Sequence, residues 1–226
     1  MQCLFMEKLH YYNESLKILD EISSSFSHKP TLLLHACCAP CSCFPLTFLC
    51  PHFDVTIFFN NSNIFPSTEY ERRKDELIKF LHDFERDYHY HVELIITPYD
   101  EENYAQKLRP LARLKEGTER CFFCYRLRME EAYDYAERNG FDFFTTVMTI
   151  SSQKNALKLN EIGKELEEKH THCRYFFSDF KKKKGADKGR EIRNFYQLYQ
   201  QQYCGCRYSY AEYKERLQLK KSEENK

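Results

Sequence analysis

Five short runs of β-branched and apolar residues recur along the chain, at 31–36 (TLLLHA), 54–60 (DVTIFFN), 92–97 (VELIIT), 142–148 (DFFTTVM) and 174–178 (RYFFS), with helical periodicity between them. Strands that alternate with helices pair in parallel, and their crossovers cover both faces of the sheet. Tyr70, Leu77, Ile78, Leu81 and Phe84 share one stripe of a helix over 68–84, with Ser67 or Thr68 as its cap and Glu71 placed for a capping box. Tyr125, Met129, Ala132 and Ala136 mark a helix that begins near Cys121 and stops at Asn139–Gly140. Segments 155–169 and 187–200 read as further helices. The expectation is a single α/β domain over 1–226 with a mostly parallel sheet, a helical extension at 1–30 and a charged tail at 211–226; 226 residues suffice for one core.

Eleven cysteines are the second constraint. In a small secreted chain they would signal a disulfide scaffold, but this chain is long and has ordinary helix and strand patterning, so metal binding or thiol redox chemistry fits better. The first residues carry acidic groups and lack a basic flank, an apolar core and a small-residue cleavage site, and no run approaches the roughly 18 apolar residues of a membrane span. A cytoplasmic protein without membrane contact is expected.

The cysteines are not scattered evenly. The run from His35 to Cys43 begins where the first strand ends, and in open parallel sheets ligands gather beyond the carboxyl ends of the strands. It contains the vicinal pair Cys37 and Cys38, followed by Cys41 and Cys43, which could face either a metal or the core. Cys121 and Cys124 have the two-residue spacing that lets two thiolates face one metal, and a helix N-terminus there would favour the thiolate. Two pairs provide four thiolates, enough for a closed zinc site or a cubane cluster. The vicinal pair is not an ordinary zinc knuckle, and soft donors favour iron–sulfur. Cys204 and Cys206 can close only a small, strained and easily reduced disulfide ring; the alternative is a pair of reduced thiols before a C-terminal helix. Cys3, Cys50 and Cys173 have no partner at useful spacing.

Formal net charge is zero, so no global field attracts nucleic acid, yet Lys181, Lys182, Lys183, Lys184, Lys188, Arg190 and Arg193 cluster in one stretch. Such a run either faces an anionic partner or is a solvated surface.

In order along the chain stand HACCAPC from His35, ERCFFCYRLRMEEA from Glu119, TTVMTISSQKN from Thr145, SDFKKKKG from Ser178 and YCGCRYS from Tyr203. This set resembles the QueH family of epoxyqueuosine reductases. The resemblance implies a three-layer α/β sandwich related to the adenine-nucleotide α-hydrolase and PP-loop group. It implies a [4Fe-4S] cluster on Cys37, Cys38, Cys121 and Cys124, and a redox-active disulfide at Cys204 and Cys206. Some relatives carry an aspartate where Cys41 stands, proposed to hold an additional iron, so Cys41 becomes a catalytic or metal-proximal candidate. The implied substrate is tRNA carrying epoxyqueuosine at the wobble position, with an unidentified electron donor. A base must leave its stack to be reduced in a pocket. On that picture Asn61 and Asn63 would hold the modified ring, Tyr125 with Phe65, Phe122 and Phe123 would stack on bases, and Lys181 and Lys182 would meet anticodon-stem phosphates. Asparagines also make turns, and Phe122 and Phe123 also suit a core.

Two rivals carry different signatures. A PP-loop-like tRNA sulfurtransferase needs a phosphate loop after the first strand, where this chain has cysteines instead. A zinc-stabilised RNA-binding module would be colourless, with all four thiolates as closed structural ligands.

Overall fold

A computed structural model describes residues 10–224. All five expected strands form, slightly shorter than their apolar runs: β1 Thr31–His35, β2 Asp54–Phe59, β3 Glu93–Ile96, β4 Phe143–Thr146 and β5 Arg174–Tyr175. Every pairing is parallel and the order is β3-β2-β1-β4-β5. The helices are α1 His10–Ser25, α2 Ala39–Leu49, α3 Ser67–Tyr88, α4 Glu101–Leu108, α5 Glu119–Arg138, α6 Ala156–Glu167, α7 Gly185–Phe195 and α8 Arg207–Glu224. No helix among the described residues is long and apolar enough to cross a membrane.

Alternation along β1 builds the two cores. Leu32 and Leu34 join Ile18, Leu46, Phe80 and Phe84 from α1, α2 and α3. Leu33 faces the other way, among Met129, Ala132 and Tyr133 of α5 and Leu159 of α6. The chain builds β2 and β3 on one side of β1 and then returns to build β4 and β5 on the other. The strand order therefore reverses between β1 and β4, and the crevice beyond their carboxyl ends is the place a doubly wound sheet offers to ligands.

Several helix ends depart from the sequence reading. Pro66 occupies the cap of α3, with no side-chain cap bond, so the capping box does not form. Glu69 turns inward to Arg73 at 2.8 Å, while Glu71 pairs with Lys74 on the surface. α7 ends at Phe195, short of the expected 200, and starts at Gly185. A Cβ on Gly185 would meet the Phe180 carbonyl oxygen at 1.9 Å and the Phe44 ring at 2.6 Å, so only glycine lets α7 close on α2. The charged tail belongs to α8 as far as Glu224. The ends of α5 at Asn139–Gly140, with Gly140 at φ 71°, and of α6, capped by Asn155 on the Lys158 N–H at 3.1 Å, follow the reading.

Candidate functional site

β1 ends at His35, the Ala36 N–H still donates to the Phe58 carbonyl, and Cys38 then turns the chain into α2 with extended backbone at φ −176°. Cys38 occupies the cap position without capping, which leaves its sulfur free, and Pro40 stands in the first turn, where a missing N–H costs nothing. The turn gathers three sulfurs: Sγ of Cys37, Cys38 and Cys41 all lie within 4.8 Å of one another. Cys37 and Cys38 are 5% and 1% exposed, and their sulfurs are 3.8 Å apart. The thiols of Cys38 and Cys41 donate to Cys37, which lowers its pKa well below the usual thiol range; the same interaction raises Cys38 to about 12 and Cys41 well above normal. One thiolate is thus favoured in the trio before any metal is considered.

Beneath the trio lies a polar network that the sequence reading did not single out. His35 is fully buried, with Nδ1 2.7 Å from Thr146 Oγ1 and Nε2 3.0 Å from Arg128 Nη2. A guanidinium only donates, so Nε2 must be the acceptor and the proton sits on Nδ1. Burial and Arg128 together hold the imidazole neutral, its pKa well below normal. Arg128 Nη2 also donates to Asn61 Oδ1 at 2.6 Å, and Asn61 Nδ2 donates to the Ala36 carbonyl at 2.7 Å. Arg128 is 2% exposed and, among the described residues, has no carboxylate partner. Burial opposes its charge, but negative charge on the neighbouring Cys124 and Cys37 sulfurs, once they are thiolates, outweighs burial and raises its pKa. Lys154, half-buried after β4, is in a similar position: desolvation opposes its charge, and negative charge on Cys204, Cys37 and Cys41, where they are thiolates, favours it. Two cations without carboxylates, each beside several sulfurs, form an environment made for thiolates.

Cys121 and Cys124 sit at the start of α5, as expected, but outside the close trio. They line a small cavity of about 20 Å³ with Cys204, Cys206, Asn63 and Arg128. The Gly117 N–H donates to Cys121 Sγ and the Tyr104 hydroxyl to Cys124 Sγ, both at 3.2 Å. Burial works against the helix N-terminus here: Cys121 is raised and Cys124 is pushed up to about 12. Cys204 and Cys206 are free thiols around Gly205, whose φ of 132° suits only glycine. Arg73, buried on α3, donates to the carbonyls of Cys204 at 3.0 Å and Tyr203 at 3.3 Å, and the Phe65 N–H donates to the Gly205 carbonyl at 2.7 Å. Cys206 takes the Ser209 N–H at 3.4 Å, ahead of α8. Nearby, Gln201 Nε2 donates to Cys38 Sγ at 3.1 Å and brings this segment over the trio.

The remaining candidates separate in the same way. Asn61 is committed to Ala36 and Arg128, whereas Asn63 Oδ1 is buried beside the small cavity without a partner. Tyr125 is 4% exposed and lines that cavity from the core. Lys181 points inward to the carbonyls of Ser151 and Lys154, at 3.3 and 3.2 Å, and Lys182 lies 3.9 Å from Asp179. Lys181 is committed to the loop after β4, whereas Lys182 is half-exposed beside Asp179. Cys43, Cys50 and Cys173 are core residues, and Cys3 lies outside the described residues. Arg128 had a signal in the sequence, because it shares the apolar stripe of Tyr125 and Met129. Lys154 stands in the TISSQKN motif, but nothing local marks it as a neighbour of the sulfurs.

Seven thiols converge on this edge of the sheet, three of them in close contact and with unpaired cations beside them. Soft donors in that number suit iron–sulfur or zinc, and the residues present therefore fit a thiolate-bound metal group. Fold and site together define a doubly wound α/β protein with a cysteine-rich centre at its topological switch point. The chain belongs to the epoxyqueuosine reductase QueH family, whose profile matches residues 32–212. It is 40% identical to epoxyqueuosine reductase QueH of Staphylococcus aureus (strain Mu50 / ATCC 700699), over 78% of this chain and 74% of that protein. It is 35% identical to the namesake of Staphylococcus epidermidis (strain ATCC 12228 / FDA PCI 1200), over 88% and 84% respectively. Among solved structures it is similar to a tRNA thiolase, NcsA, from Methanococcus maripaludis with its [4Fe-4S] cluster, at TM-score 0.48 and 13% identity over 92% of this chain and 69% of that one, too distant to bear on the site.

Proposed function

We propose that this chain is a cytoplasmic epoxyqueuosine reductase, an oxidoreductase that removes the epoxide oxygen of epoxyqueuosine in tRNA to give queuosine. The observation that carries this reading is the gathering of Cys37, Cys38 and Cys41 at the switch point, inside the region that matches the family.

The reaction takes epoxide, two electrons and two protons to alkene and water. Cys37, Cys38, Cys121 and Cys124 are the proposed ligands of a [4Fe-4S] cluster, with Cys41 the donor toward an additional iron; bound there, the group would supply single-electron transfer and Lewis acidity. Arg128 and Lys154 offset the charge of the thiolates in a buried setting where an unpaired anion would be costly. Cys204 borders both open cavities and the small one. Oxidation of the Cys204 and Cys206 thiols to a disulfide releases two electrons and two protons, the balance the reaction requires, and an external donor then restores the dithiol. Asn63 Oδ1, buried and unpaired at the wall of the small cavity, is the proposed acceptor for a hydroxyl of the modified ring, which needs that cavity to widen around it.

The test is anaerobic incubation of metal-reconstituted protein with epoxyqueuosine tRNA and a reductant, followed by nucleoside mass analysis. A product lighter by one oxygen is expected. Recovery of unchanged epoxide from brown, iron-loaded protein would overturn the reading, and colourless protein that holds only zinc would favour the RNA-binding module.

A further inference from the structure

We infer that the two open cavities are lobes of one RNA groove that passes over Cys204 and seats a backbone phosphate on each side of the reacting nucleotide. The inference rests on the tRNA reading above and extends it to the strand's path. One cavity, of about 350 Å³, lies between α2, α7 and the loop after β4; the other, of about 530 Å³, lies against α8. They share a wall made by Gln153, Gln202, Tyr203 and Cys204, so a ligand that crosses from one to the other must pass this cysteine.

Charge fits a polyanion at both ends. Lys154, Arg190 and Arg193 line the first lobe, where no carboxylate does; Arg216 and Lys220 line the second, against the single carboxylate of Glu116. Asp187 pairs with Arg190 at 3.1 Å on the exposed side, which leaves Lys154 and Arg193 without an acidic partner among the described residues. The first turns of α2 and α7 also reach the first lobe, through Cys41 and Ala186, and add helix N-termini that favour phosphate. Between the cationic ends the lining is amide and aromatic: Gln153, Gln200, Gln201 and Gln202, and Tyr203 stacked on Tyr213 at 5.6 Å and 19°. Cations that flank amide donors and aromatic faces suit a single nucleic-acid strand better than a free anion or an acidic peptide. Because the whole chain is neutral, this polarity is local. Arg216 and Lys220 lie beyond the family-matched region, so the second lobe owes its charge to this chain's own α8.

The test is binding of a fluorescently labelled, unmodified anticodon stem–loop RNA, followed by anisotropy across a salt series. The pairs Arg190→Gln with Arg193→Gln and Arg216→Gln with Lys220→Gln are each expected to weaken binding about tenfold near physiological salt and to flatten the slope of log affinity against log salt by roughly 1.4, about 0.7 for each lost phosphate contact. The control pair Lys107→Gln with Lys164→Gln, exposed and away from both lobes, should stay within about twofold on the same electrostatic argument. The charge-conserving pair Arg190→Lys with Arg193→Lys should restore most of the binding and guard against a folding artefact. A wild-type chain that does not bind, or groove pairs that match the control, would overturn the groove. The RNA carries no epoxide, so the outcome is independent of whether the chain reduces one.

Discussion

The two sulfur-bearing regions of the site are assembled by different means. Cys37, Cys38 and Cys41 come together through one local turn from β1 into α2, within five residues of chain. Cys121, Cys124, Cys204 and Cys206 meet only because α5, α3 and the segment before α8 pack around them, held by Arg73, Tyr104 and Gly117. A local turn survives small disturbances of packing, whereas a tertiary assembly fails when one clamp is lost. The four proposed ligands are split between the two regions, so metal retention should need both, whereas Cys204 and Cys206 of the second should matter for turnover alone.

The sharpest way to break this contrast is a pair of cysteine variants. Cys38→Ser is expected to lose most of its bound iron and all detectable reduction, whereas Cys204→Ser keeps its iron and loses multiple turnover by about a hundredfold or more, as expected when a residue that acts in the reaction is removed. Iron analysis with single- and multiple-turnover assays separates them, and full turnover by Cys204→Ser would reduce that residue to a cavity wall. Next in size, Arg73→Met strands the buried Glu69 and releases the carbonyls of Tyr203 and Cys204. A loss of roughly 3 kcal/mol is expected, or a fall in Tm of about 9 °C for a chain of this size. Arg128→Lys cannot reach both Asn61 and His35, and leaving one buried acceptor unpaired should cost about 2 kcal/mol by denaturant titration.

The smallest effect lies away from both regions. Glu137 accepts the backbone N–H groups of Cys173, Thr171 and His172, which lower its pKa from 4.5 to about 2. Its folded pKa lies below its unfolded one, so its stabilisation is complete above about 4.5 and fades as pH falls toward 2. Glu137→Gln should flatten that part of the pH–stability curve, read by thermal melts, and leave iron content unchanged. A change in iron would mean that the far end of α5 is coupled to the cysteines.

The strands and the start and stop of α5 were legible because period, β-branching and the Asn139–Gly140 stop are local signals. What escaped depends on contacts distant in sequence. Ser67 reads as a cap, but Pro66 takes that place and Glu69 is drawn to Arg73. Lys183 and Lys184 adopt φ of 48° and 66°, which no lysine advertises, so that Gly185 can meet Phe44. The lysine run reads as a free patch, yet Lys181 is spent on the loop after β4. His35 and Arg128 looked like ordinary members of a strand and a helix, because only the fold sets one against the other.

The segment that brings Gln201 over Cys38 also imposes an order of events during synthesis. The trio leaves the ribosome early, while Tyr203, Cys204 and their clamp to Arg73 follow much later. A nascent chain thus displays three nearby thiols with nothing above them. Oxidants and stray soft metals meet that half-made site first, so a cell that makes this protein has reason to shield the early chain until its cover arrives.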